Sequence, residues 1–377
     1  MTLRIAMVTE TYPPEVNGVA RTVKEMVEGL RARGHFIQLI RPRQNGHDLA
    51  LIDGNIVELL GRGIAIPRYP QLKMGLPAKG ALMRAWSERR PDVVHIATEG
   101  PLGWSALAAA RELRLPVSTD FHTNFQTYSR HYGVGWLARP VTAYLRKFHN
   151  RAGCTIVPTS ELAADLERAG FRGLRVVGRG VNPQVFSPQR RSPELRARWG
   201  AGAETPIAIC VSRFAREKNF PMVLKAFEAM RRVRPDIQLV LVGDGPMADS
   251  LRKRNLGYLI AGRLVNGELS AHYASADIFL FPSTSETFGN VTLEAMASGL
   301  GIVAYRYAAA REHLVHGYSA LLAPMDDEAA FITSAQQLAR DPALARRLGA
   351  AARQAAEPLT WDRIVEDFEA VLADVAA

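Results

Sequence analysis

Residues 285–299 read SETFGNVTLEAMASG, and the rest of the chain is organised around this stretch. The apolar run at 276–282 precedes it and ends at Pro282, which is typical of a buried parallel strand. Asn290 is suited to cap a short helix, and Gly299 lies where a left-handed helix end belongs. This order of strand, glycine-containing loop and helix start points backbone N–H groups at an anion.

Two carboxylates frame the stretch, with Glu286 in the loop and Glu294 in the first turn of the predicted helix. Carboxylates repel phosphate, so beside an anion site they are suited to binding hydroxyl groups. A sugar nucleotide offers phosphates and hydroxyls in one molecule. The alternative interpretation is a pair of solvated charges at a helix end.

The spacing of Glu286 and Glu294, with Phe288-Gly289 between them and Glu-Ala-Met-Ala-x-Gly at the end, resembles the signature of the retaining glycosyltransferases of family 4. The resemblance implies an α/β fold class, with two Rossmann-like doubly wound domains facing across a cleft (GT-B). It also implies that the first Glu holds the transferred sugar and the second holds the ribose. Thr287 stands where many members carry proline.

A second motif follows the apolar strand at 206–211, where Arg213 and Lys218 stand five residues apart in a strand-to-helix loop. Both side chains can bind one anion, because the Arg guanidinium offers two parallel N–H donors and the Lys ammonium lies at the end of a flexible chain. Two solvated bases are the alternative. The Ser-Arg-x4-Lys-Asn run resembles the diphosphate clamp of the family. Gly243, Gly245 and Arg263 follow the next two predicted strands, which the family places near the nucleotide base.

The first half of the chain opens with a strand, a turn at Gly18 and a helix predicted over 22–33, which is the start of a doubly wound domain. The turn resembles the N-terminal diphosphate loop of the family, although Asn17 replaces one of two usual glycines. A strand predicted over 116–122 ends at His122, which resembles the active-site histidine of the family. A purely structural histidine is the alternative.

Residues 176–186 resemble the interdomain linker of the family, with Asn182 in place of the usual Asp. The predicted domains are therefore an acceptor-binding domain at 1–183 and a nucleotide-sugar-binding domain at 184–358. The C-terminal helix at 359–377 is expected to pack back on the first domain.

Composition favours a two-domain enzyme without a membrane span. The chain has 377 residues, 47 % of them hydrophobic, and contains no apolar run near 18 residues. Cys154 and Cys210 lie far apart without metal-type spacing, which favours a reduced cytosolic setting.

The excess of positive charge lies in the first half of the chain. Residues 1–185 carry 25 Lys and Arg against 15 Asp and Glu, whereas residues 186–377 carry 22 of each. Anionic lipid at a membrane surface is the favoured partner, because no nucleic-acid recognition motif is present. Arginines on solvated faces are the alternative. The residues proposed for acceptor or membrane contact are Tyr12, Arg68, Tyr69, Lys73, Asn124, Tyr128, Arg139, Arg146 and Lys147. Arg68, Tyr69 and Lys73 belong to a basic, proline-punctuated segment at 66–77 that is predicted to be a surface loop.

Together these features predict a retaining hexosyltransferase that moves a sugar, with α-mannose from GDP-mannose as the first choice, to a lipid or glycan acceptor. Several motifs resemble the branch containing GDP-mannose-dependent α-mannosyltransferases and sulfoquinovosyl- and glucuronosyl-diacylglycerol synthases. The proposed catalytic residues are His122, Arg213, Lys218 and Glu286. The donor-binding set is Gly18, Val19, Arg213, Lys218, Gly243, Gly245, Arg263, Glu286, Phe288, Gly289, Asn290, Val291 and Glu294.

No cofactor or obligatory metal is expected, because cations and helix dipoles can stabilise the leaving diphosphate. A cytoplasmic monomer or weak dimer, peripheral on the inner face of the plasma membrane, is expected. The alternatives are a UDP-sugar-dependent diacylglycerol glycosyltransferase, a sugar-nucleotide hydrolase or epimerase on the same scaffold, and a non-catalytic anionic-lipid-binding protein.

Overall fold

The chain forms two compact units in a computed structural model that describes residues 2–15, 17–66, 69–122, 138–254 and 257–377. The described residues up to Arg179, together with Trp361–Ala377, form the first unit, and Gly180–Thr360 form the second. The division therefore falls at 179/180 and 360/361, a few residues from the predicted boundaries at 183/184 and 358/359.

The first unit alternates strands and helices, as its opening segment predicted. Its strands are β1 (Arg4–Val8), β2 (Phe36–Pro42), β3 (Ile52–Asp53), β4 (Ile56–Gly61), β5 (Gly63–Ile66), β6 (Tyr69–Gly75), β7 (Val93–Ile96), β8 (Val117–Asp120), β9 (Cys154–Val157) and β10 (Leu174–Val176). Its helices are α1 (Gly18–Ala32), α2 (Lys79–Glu88), α3 (Pro101–Glu112), α4 (Ala138–His149), α5 (Ser160–Arg168) and the C-terminal helix Trp361–Ala376.

The main sheet of the first unit has the strand order β10-β9-β8-β7-β1-β2-β4-β3. All its pairs are parallel except β3 with β4. In β1, Ile5 and Met7 pack into one hydrophobic cluster, and Ala6 and Val8 pack into another. Successive side chains point to opposite faces of a strand, so both faces of this sheet are buried.

The segment predicted as a surface loop at 66–77 is instead largely strand, because β5 and β6 form an antiparallel hairpin. The prolines suggested a loop, since proline cannot donate to a ladder. Ala65 pairs with Lys73, and the next residue, Ile66, pairs with Tyr69. Residues 70–72 therefore have no partner on the opposite strand, and the missing N–H of Pro70 breaks no ladder hydrogen bond.

The second unit is a doubly wound domain with a six-stranded parallel sheet in the order β13-β12-β11-β14-β15-β16. The strands are β11 (Ile207–Val211), β12 (Gln238–Val242), β13 (Leu259–Gly262), β14 (Ile278–Phe281), β15 (Gly301–Tyr305) and β16 (Leu321–Ala323). The helices are α6 (Pro193–Arg198), α7 (Phe220–Val233), α8 (Ala248–Arg254), α9 (Asn266–Ser275), α10 (Asn290–Ala297), α11 (Ala308–His313), α12 (Glu328–Arg340) and α13 (Pro342–Ala356); short 3-10 turns occupy Pro188–Arg190 and Arg216–Lys218. The predicted α/β fold class, with one doubly wound domain in each half of the chain, is thereby confirmed.

Helix α10 matches the prediction at its C-terminal end but not at its N-terminal end. Gly299 adopts a left-handed conformation with φ +74°, and the N–H groups of Gly299 and Leu300 bond back into the helix. At the other end the cap is Gly289, with φ +92°, rather than Asn290, which is the first helical residue. Glu294 consequently lies at the start of the second turn, not in the first.

Apolar residues at 141, 144, 145 and 148 follow the helical period and predict the buried face of helix α4, and Tyr144 departs from that prediction. Leu145 and Phe148 are buried as predicted and Val141 is partly buried, but the Tyr144 side chain is 44 % exposed. Its hydroxyl donates to the carbonyl oxygen of Glu99 at 2.6 Å, a partner that helical periodicity cannot reveal. In the described part of the chain, no helix is long and apolar enough to cross a membrane.

The C-terminal helix, labelled α14 (Trp361–Ala376), completes the core of the first unit. Val365 packs so closely on α1 that a Cβ at Gly29 would lie 2.5 Å from its Cγ2. Glu369 contacts Arg33 and lies 3.0 Å from Nε2 of buried His35. Burial opposes the charge of Glu369, but hydrogen bonds from Arg33 and His35 outweigh it and lower the pKa of this carboxyl.

Glu369→Gln is expected to lower the melting temperature of the first unit by about 2–4 °C at pH 7, which corresponds to about 1 kcal/mol. Because the folded-state pKa of Glu369 lies below its unfolded value of about 4.3, this contribution is fully present above that value and is lost as pH falls from there through the folded-state pKa. Calorimetry at pH 7 and at a pH below the unfolded pKa of Glu measures the two melting temperatures. Glu366→Gln, which removes an exposed partner of Arg363 on the same helix, is the control and should shift melting less. An equal shift at both pH values would contradict the assignment.

Candidate functional site

The predicted donor-binding residues of the second unit gather at one edge of its sheet. Arg213 follows β11, Gly243 and Gly245 follow β12, Arg263 follows β13, and residues 282–289 follow β14. These four strands are neighbours and run parallel, so their carboxyl ends lie side by side. Ligands of open α/β sheets bind outside such an edge.

Gly243 and Gly245 bring two loops of this edge into contact. A Cβ at Gly243 would lie 1.9 Å from the carbonyl oxygen of Ser212, and one at Gly245 would lie 2.7 Å from that of Phe214. Both glycines have positive φ, at +140° and +154°. The Phe214 N–H donates to the Asp244 carbonyl oxygen at 2.9 Å. The glycine turn therefore supports the loop that carries Arg213.

Lys218 ends the 3-10 turn Arg216–Lys218, and Asn219 follows it in a left-handed conformation with φ +53° before α7 begins. The carbonyl oxygen of buried Glu217 accepts hydrogen bonds from the N–H and the hydroxyl of Thr284, at 2.9 and 3.1 Å. These bonds tie the Lys218 turn to the loop after β14, which carries Glu286.

Lys218 and Glu286 form an ion pair with 2.5 Å between Nζ and Oε1. The two side chains are only 16 % and 13 % exposed, so solvent screens the pair incompletely. Nζ also lies 5.9 Å from the centre of the Phe281 ring. The structure thus joins two residues that the sequence assigned separately to diphosphate and sugar.

The loop from Glu286 to Gly289 is held by its backbone. The hydroxyl of Tyr307 donates to the Glu286 carbonyl oxygen at 2.8 Å, and the N–H of Ala309 donates to that of Phe288 at 2.9 Å. The Phe288 ring is buried against His313. Asn290 and Val291 begin α10, whose first N–H groups lack helical partners and carry the positive end of the helix dipole.

Glu294 is 4 % exposed, and its Oε2 accepts a hydrogen bond from Tyr273 at 3.0 Å. Tyr273 is itself fully buried. A buried carboxylate held by a hydroxyl is not a solvated helix-end charge, so that alternative interpretation of Glu294 is wrong. Sequence reasoning missed Tyr273, because its helix α9 precedes β14 and no motif marks it.

In the first unit, the turn before α1 explains why asparagine replaces glycine at position 17. Asn17 has extended backbone with φ −149°, and its Oδ1 accepts from the Ala20 N–H at 2.8 Å as the helix cap. Its Nδ2 donates to Thr11 at 2.7 Å. Gly18 is the exposed first residue of α1, while Val19 and Tyr12 are partly buried against the core.

Buried Glu15 connects this turn to the β5–β6 hairpin. Its Oε2 accepts from the Thr11 hydroxyl at 2.5 Å, and its Oε1 accepts from the Lys73 N–H at 3.1 Å. The hairpin is therefore anchored to the turn at Gly18 by one carboxylate.

His122 lies just beyond the carboxyl end of β8, beside two buried charged residues. Its Nε2 is 3.1 Å from Oδ2 of Asp120, and Arg179 contacts the same carboxylate at 3.1 Å. Sequence reasoning placed Arg179 in the interdomain linker and missed its contact with Asp120.

The acceptor and membrane residues are only partly described. Arg68, Asn124, Tyr128 and the side chain of Tyr69 lie outside the described residues. Arg139 and Lys147 are exposed on α4 and Lys73 is half-buried. Arg146 is exposed but donates to the carbonyl oxygen of Ala169 at 2.8 Å, at the end of α5. Among described side chains, no group of three or more His, Cys, Asp or Glu is placed to hold a metal ion.

Comparison with known families matches both units. Residues 16–185 match the model described as "Glycosyltransferase Family 4", and residues 191–355 match "Glycosyl transferases group 1". A GDP-mannose-dependent alpha-mannosyltransferase of Mycolicibacterium smegmatis is 32 % identical over 98 % of each chain. A sulfoquinovosyl transferase of Arabidopsis thaliana is 29 % identical, over 95 % of this chain and 71 % of its own.

Solved structures are similar over almost the whole chain. Sucrose-phosphate synthase from Thermosynechococcus elongatus superposes with a TM-score of 0.80 at 20 % identity, over 99 % of both chains. An Anabaena protein solved in complex with UDP and glucose superposes with a TM-score of 0.76 at 18 % identity, over 98 % of this chain and 99 % of that one. At these identities the likeness shows the fold.

Proposed function

The chain belongs to glycosyltransferase family 4 and has the GT-B fold, and on that premise we propose that it transfers a hexose from a nucleotide sugar to a membrane lipid or glycan with retention of configuration. The preferred donor is GDP-mannose, and the transferred group is then α-mannose. The observation that carries the proposal is the set of Arg213, Lys218, Glu286 and Glu294 at one edge of the second sheet.

Different residues bind the diphosphate of the donor and the hydroxyl groups of its sugars. Arg213, Lys218 and the first N–H groups of α10 bind the diphosphate, because each offers a donor or positive charge to phosphate oxygens. Glu294 accepts from the ribose hydroxyls, and Glu286 accepts from the hydroxyls of the transferred sugar. Binding of phosphate would draw Lys218 Nζ from Glu286 and release that carboxylate for the sugar.

In the reaction, the bond between the anomeric carbon and the diphosphate oxygen breaks, and a bond from the acceptor oxygen forms on the same face. The acceptor proton passes to an oxygen of the departing diphosphate, so the protein needs no covalent intermediate. Negative charge grows on the diphosphate as it leaves. Arg213, Lys218 and the helix α10 dipole stabilise that charge, and such preorganised groups lower the barrier.

Transfer is expected to proceed without a bound metal, because these protein groups already stabilise the leaving diphosphate. Initial rates with excess chelator should equal those without it, measured with donor and acceptor at saturation. An added divalent cation that restores a chelator-sensitive rate would contradict this prediction.

The choice of donor rests on the relatives. The mannosyltransferase of M. smegmatis is named for GDP-mannose, and an alpha-monoglucosyldiacylglycerol synthase of Acholeplasma laidlawii is 29 % identical over 80 % of each chain. The name of this relative supports a diacylglycerol acceptor, so the second candidate is the UDP-sugar-dependent diacylglycerol glycosyltransferase expected as an alternative from the sequence.

A panel of GDP- and UDP-sugars, each incubated with a bacterial membrane lipid extract, tests the proposal. Mass spectrometry of the products should show one hexose added to a lipid or glycan, with GDP-mannose as the best donor. A UDP-sugar product establishes the second candidate. Free sugar without an acceptor product would indicate a hydrolase, and an isomerised donor would indicate an epimerase.

A membrane-facing surface is proposed on the first unit, because residues 1–179 carry 25 Lys and Arg against 15 Asp and Glu, although the C-terminal helix of that unit is acidic. Arg139 and Lys147 are exposed on α4, and Tyr144 is exposed between them. Basic and aromatic side chains together suit the interface of an anionic bilayer. No carboxylate occurs between residues 121 and 160, so nothing in that part of the sequence offsets the charge.

Binding to vesicles should require acidic lipid and weaken steeply with salt, since each Lys or Arg near such a surface contributes about 1 kcal/mol. Replacing Lys73, Arg139 and Lys147 together with Gln should abolish binding in a flotation assay without changing nucleotide-sugar affinity. Arg346→Gln with Arg347→Gln, both exposed on α13 of the second unit, is the control. Salt-independent binding, or none to acidic vesicles, would contradict a membrane role.

A further inference from the structure

A buried ion pair lies beside His122 and is not used by the proposed chemistry of the second unit. Asp120 ends β8 and Arg179 is the last residue of the first unit before Gly180, and each is 3 % exposed. One guanidinium nitrogen of Arg179 contacts Asp120 at 3.1 and 3.3 Å. The second terminal nitrogen of Arg179, Nη1, donates to the carbonyl oxygens of Val177 and Gly178, at 3.2 and 3.1 Å.

Both members of the pair carry their charges. Burial opposes ionisation of Asp120, but the charge of Arg179 outweighs it and holds the pKa of that carboxyl well below its usual range. Buried ion pairs often stabilise a protein no more than an apolar replacement would, so stability alone is a weak reason for this one. The third side chain of the group, His122, suggests another reason.

The two ring nitrogens of His122 face opposite kinds of partner. Nε2 lies 3.1 Å from Oδ2 of Asp120, and Nδ1 lies 3.4 Å from the Arg179 nitrogen that contacts the same carboxylate. An ionised carboxylate only accepts hydrogen bonds, and a guanidinium only donates them. A lone pair on Nδ1 accepts from Arg179, which leaves the ring proton on Nε2, the nitrogen nearer to the Asp120 carboxylate. A proton on Nδ1 would instead point an N–H at the N–H groups of Arg179.

We propose that Asp120 and Arg179 are positioning residues that hold His122 as a neutral imidazole with its proton on Nε2. Neighbouring His95 adds no charge to the group at neutral pH, because burial lowers its pKa to about 4. A neutral His122 supplies no positive charge to a leaving diphosphate, which leaves that task to Arg213 and Lys218. The kinetic consequence rests on the proposed function, whereas the tautomer does not.

The tautomer can be read without any substrate, by nitrogen NMR of the full chain labelled with 15N-histidine at pH 7. The His122 signals are identified by their loss in His122→Gln. They should show a protonated Nε2 and an unprotonated Nδ1. His316, whose Nδ1 accepts from the Leu322 N–H at 3.0 Å, is an internal reference for the same tautomer. A proton on Nδ1, with or without one on Nε2, would overturn the proposal.

Variants then test the cause. Arg179→Gln should change the nitrogen signals of His122, because the guanidinium from which Nδ1 accepts is gone. The double variant Asp120→Asn/Arg179→Gln leaves no buried charge unpaired and should give a mixture of tautomers. Arg175→Gln, an exposed residue paired with Asp374, should leave the His122 signals unchanged. Wild-type His122 signals in the double variant would overturn the proposal even if Arg179→Gln alone fails to fold.

Activity provides the second readout. The double variant should lower kcat on the order of 10–100-fold, as loss of groups that orient a functional side chain commonly does. Its affinity for the bare nucleoside diphosphate should stay unchanged, because the double variant alters none of the proposed diphosphate-binding residues. Unchanged kcat would show that the orientation of His122 has no role in transfer, which contradicts the positioning role. If no chain, wild type included, transfers sugar, the proposed function has failed while the tautomer remains measurable.

Discussion

Lys218→Ala and Arg213→Ala are each expected to lower kcat/KM for the nucleotide sugar by about 10²- to 10³-fold. Removing one charge-assisted contact to phosphate costs about 1.5–3 kcal/mol in the bound donor. The loss grows as charge develops on the departing diphosphate, and removal of one donor that stabilises such charge commonly costs that much in rate. Steady-state kinetics with the donor identified from the panel would measure both variants.

Lys218→Ala has a matched control in Lys225→Ala. Lys225 lies in the same unit and pairs with Glu328 at 2.6 Å, but both side chains are more than half exposed. Its loss should change kcat/KM little, because exposed ion pairs contribute little. Both site variants should retain the wild-type fold by circular dichroism. Near wild-type kcat/KM in both would remove the diphosphate clamp from the account.

Glu294→Gln and Glu286→Gln are expected to fail in different steps. Glu294→Gln should weaken binding of the bare nucleoside diphosphate about 10- to 100-fold, because its proposed partner is the ribose and a hydrogen bond to a charged group contributes about 1.5–3 kcal/mol. Glu286→Gln should leave that affinity intact and reduce kcat, because its proposed partner is the transferred sugar. Titration calorimetry and steady-state kinetics separate the two effects.

Tyr273→Phe is the control for Glu294, since it removes the hydroxyl bonded to the carboxylate and keeps its charge. It should weaken nucleotide binding less than Glu294→Gln does. Equal losses of nucleotide affinity in Glu286→Gln and Glu294→Gln would overturn the assignment of sugar to one and ribose to the other.

The strands and the edge that carries the donor site could be predicted from the sequence, because their signals are local. The run at 276–282 and the run at 206–211 are apolar on both faces, as parallel strands covered by helices require. Gly299 also has a local reason, since a left-handed helix end favours glycine. Parallel strands then bring the loops after them to one edge.

Contacts between distant residues could not be predicted in this way. Arg179 and Asp120 are 59 residues apart, and neither spacing nor periodicity connects a residue near a linker with the end of a strand. The bond from Tyr144 to Glu99 and the ion pair of Lys218 with Glu286 are of the same kind. Gly243 and Gly245 were predicted near the nucleotide, yet their close contacts are with the backbone of residues 212–214.

The central claim is transfer of a hexose from a nucleotide sugar with retention of configuration. Its most direct test is the anomeric configuration of the first product formed from the best donor of the panel, determined by NMR before any further processing. The account predicts that an α-linked nucleotide sugar yields an α-linked glycoside on the acceptor. A β-linked product, or release of free sugar at the same rate with and without acceptor, would contradict it.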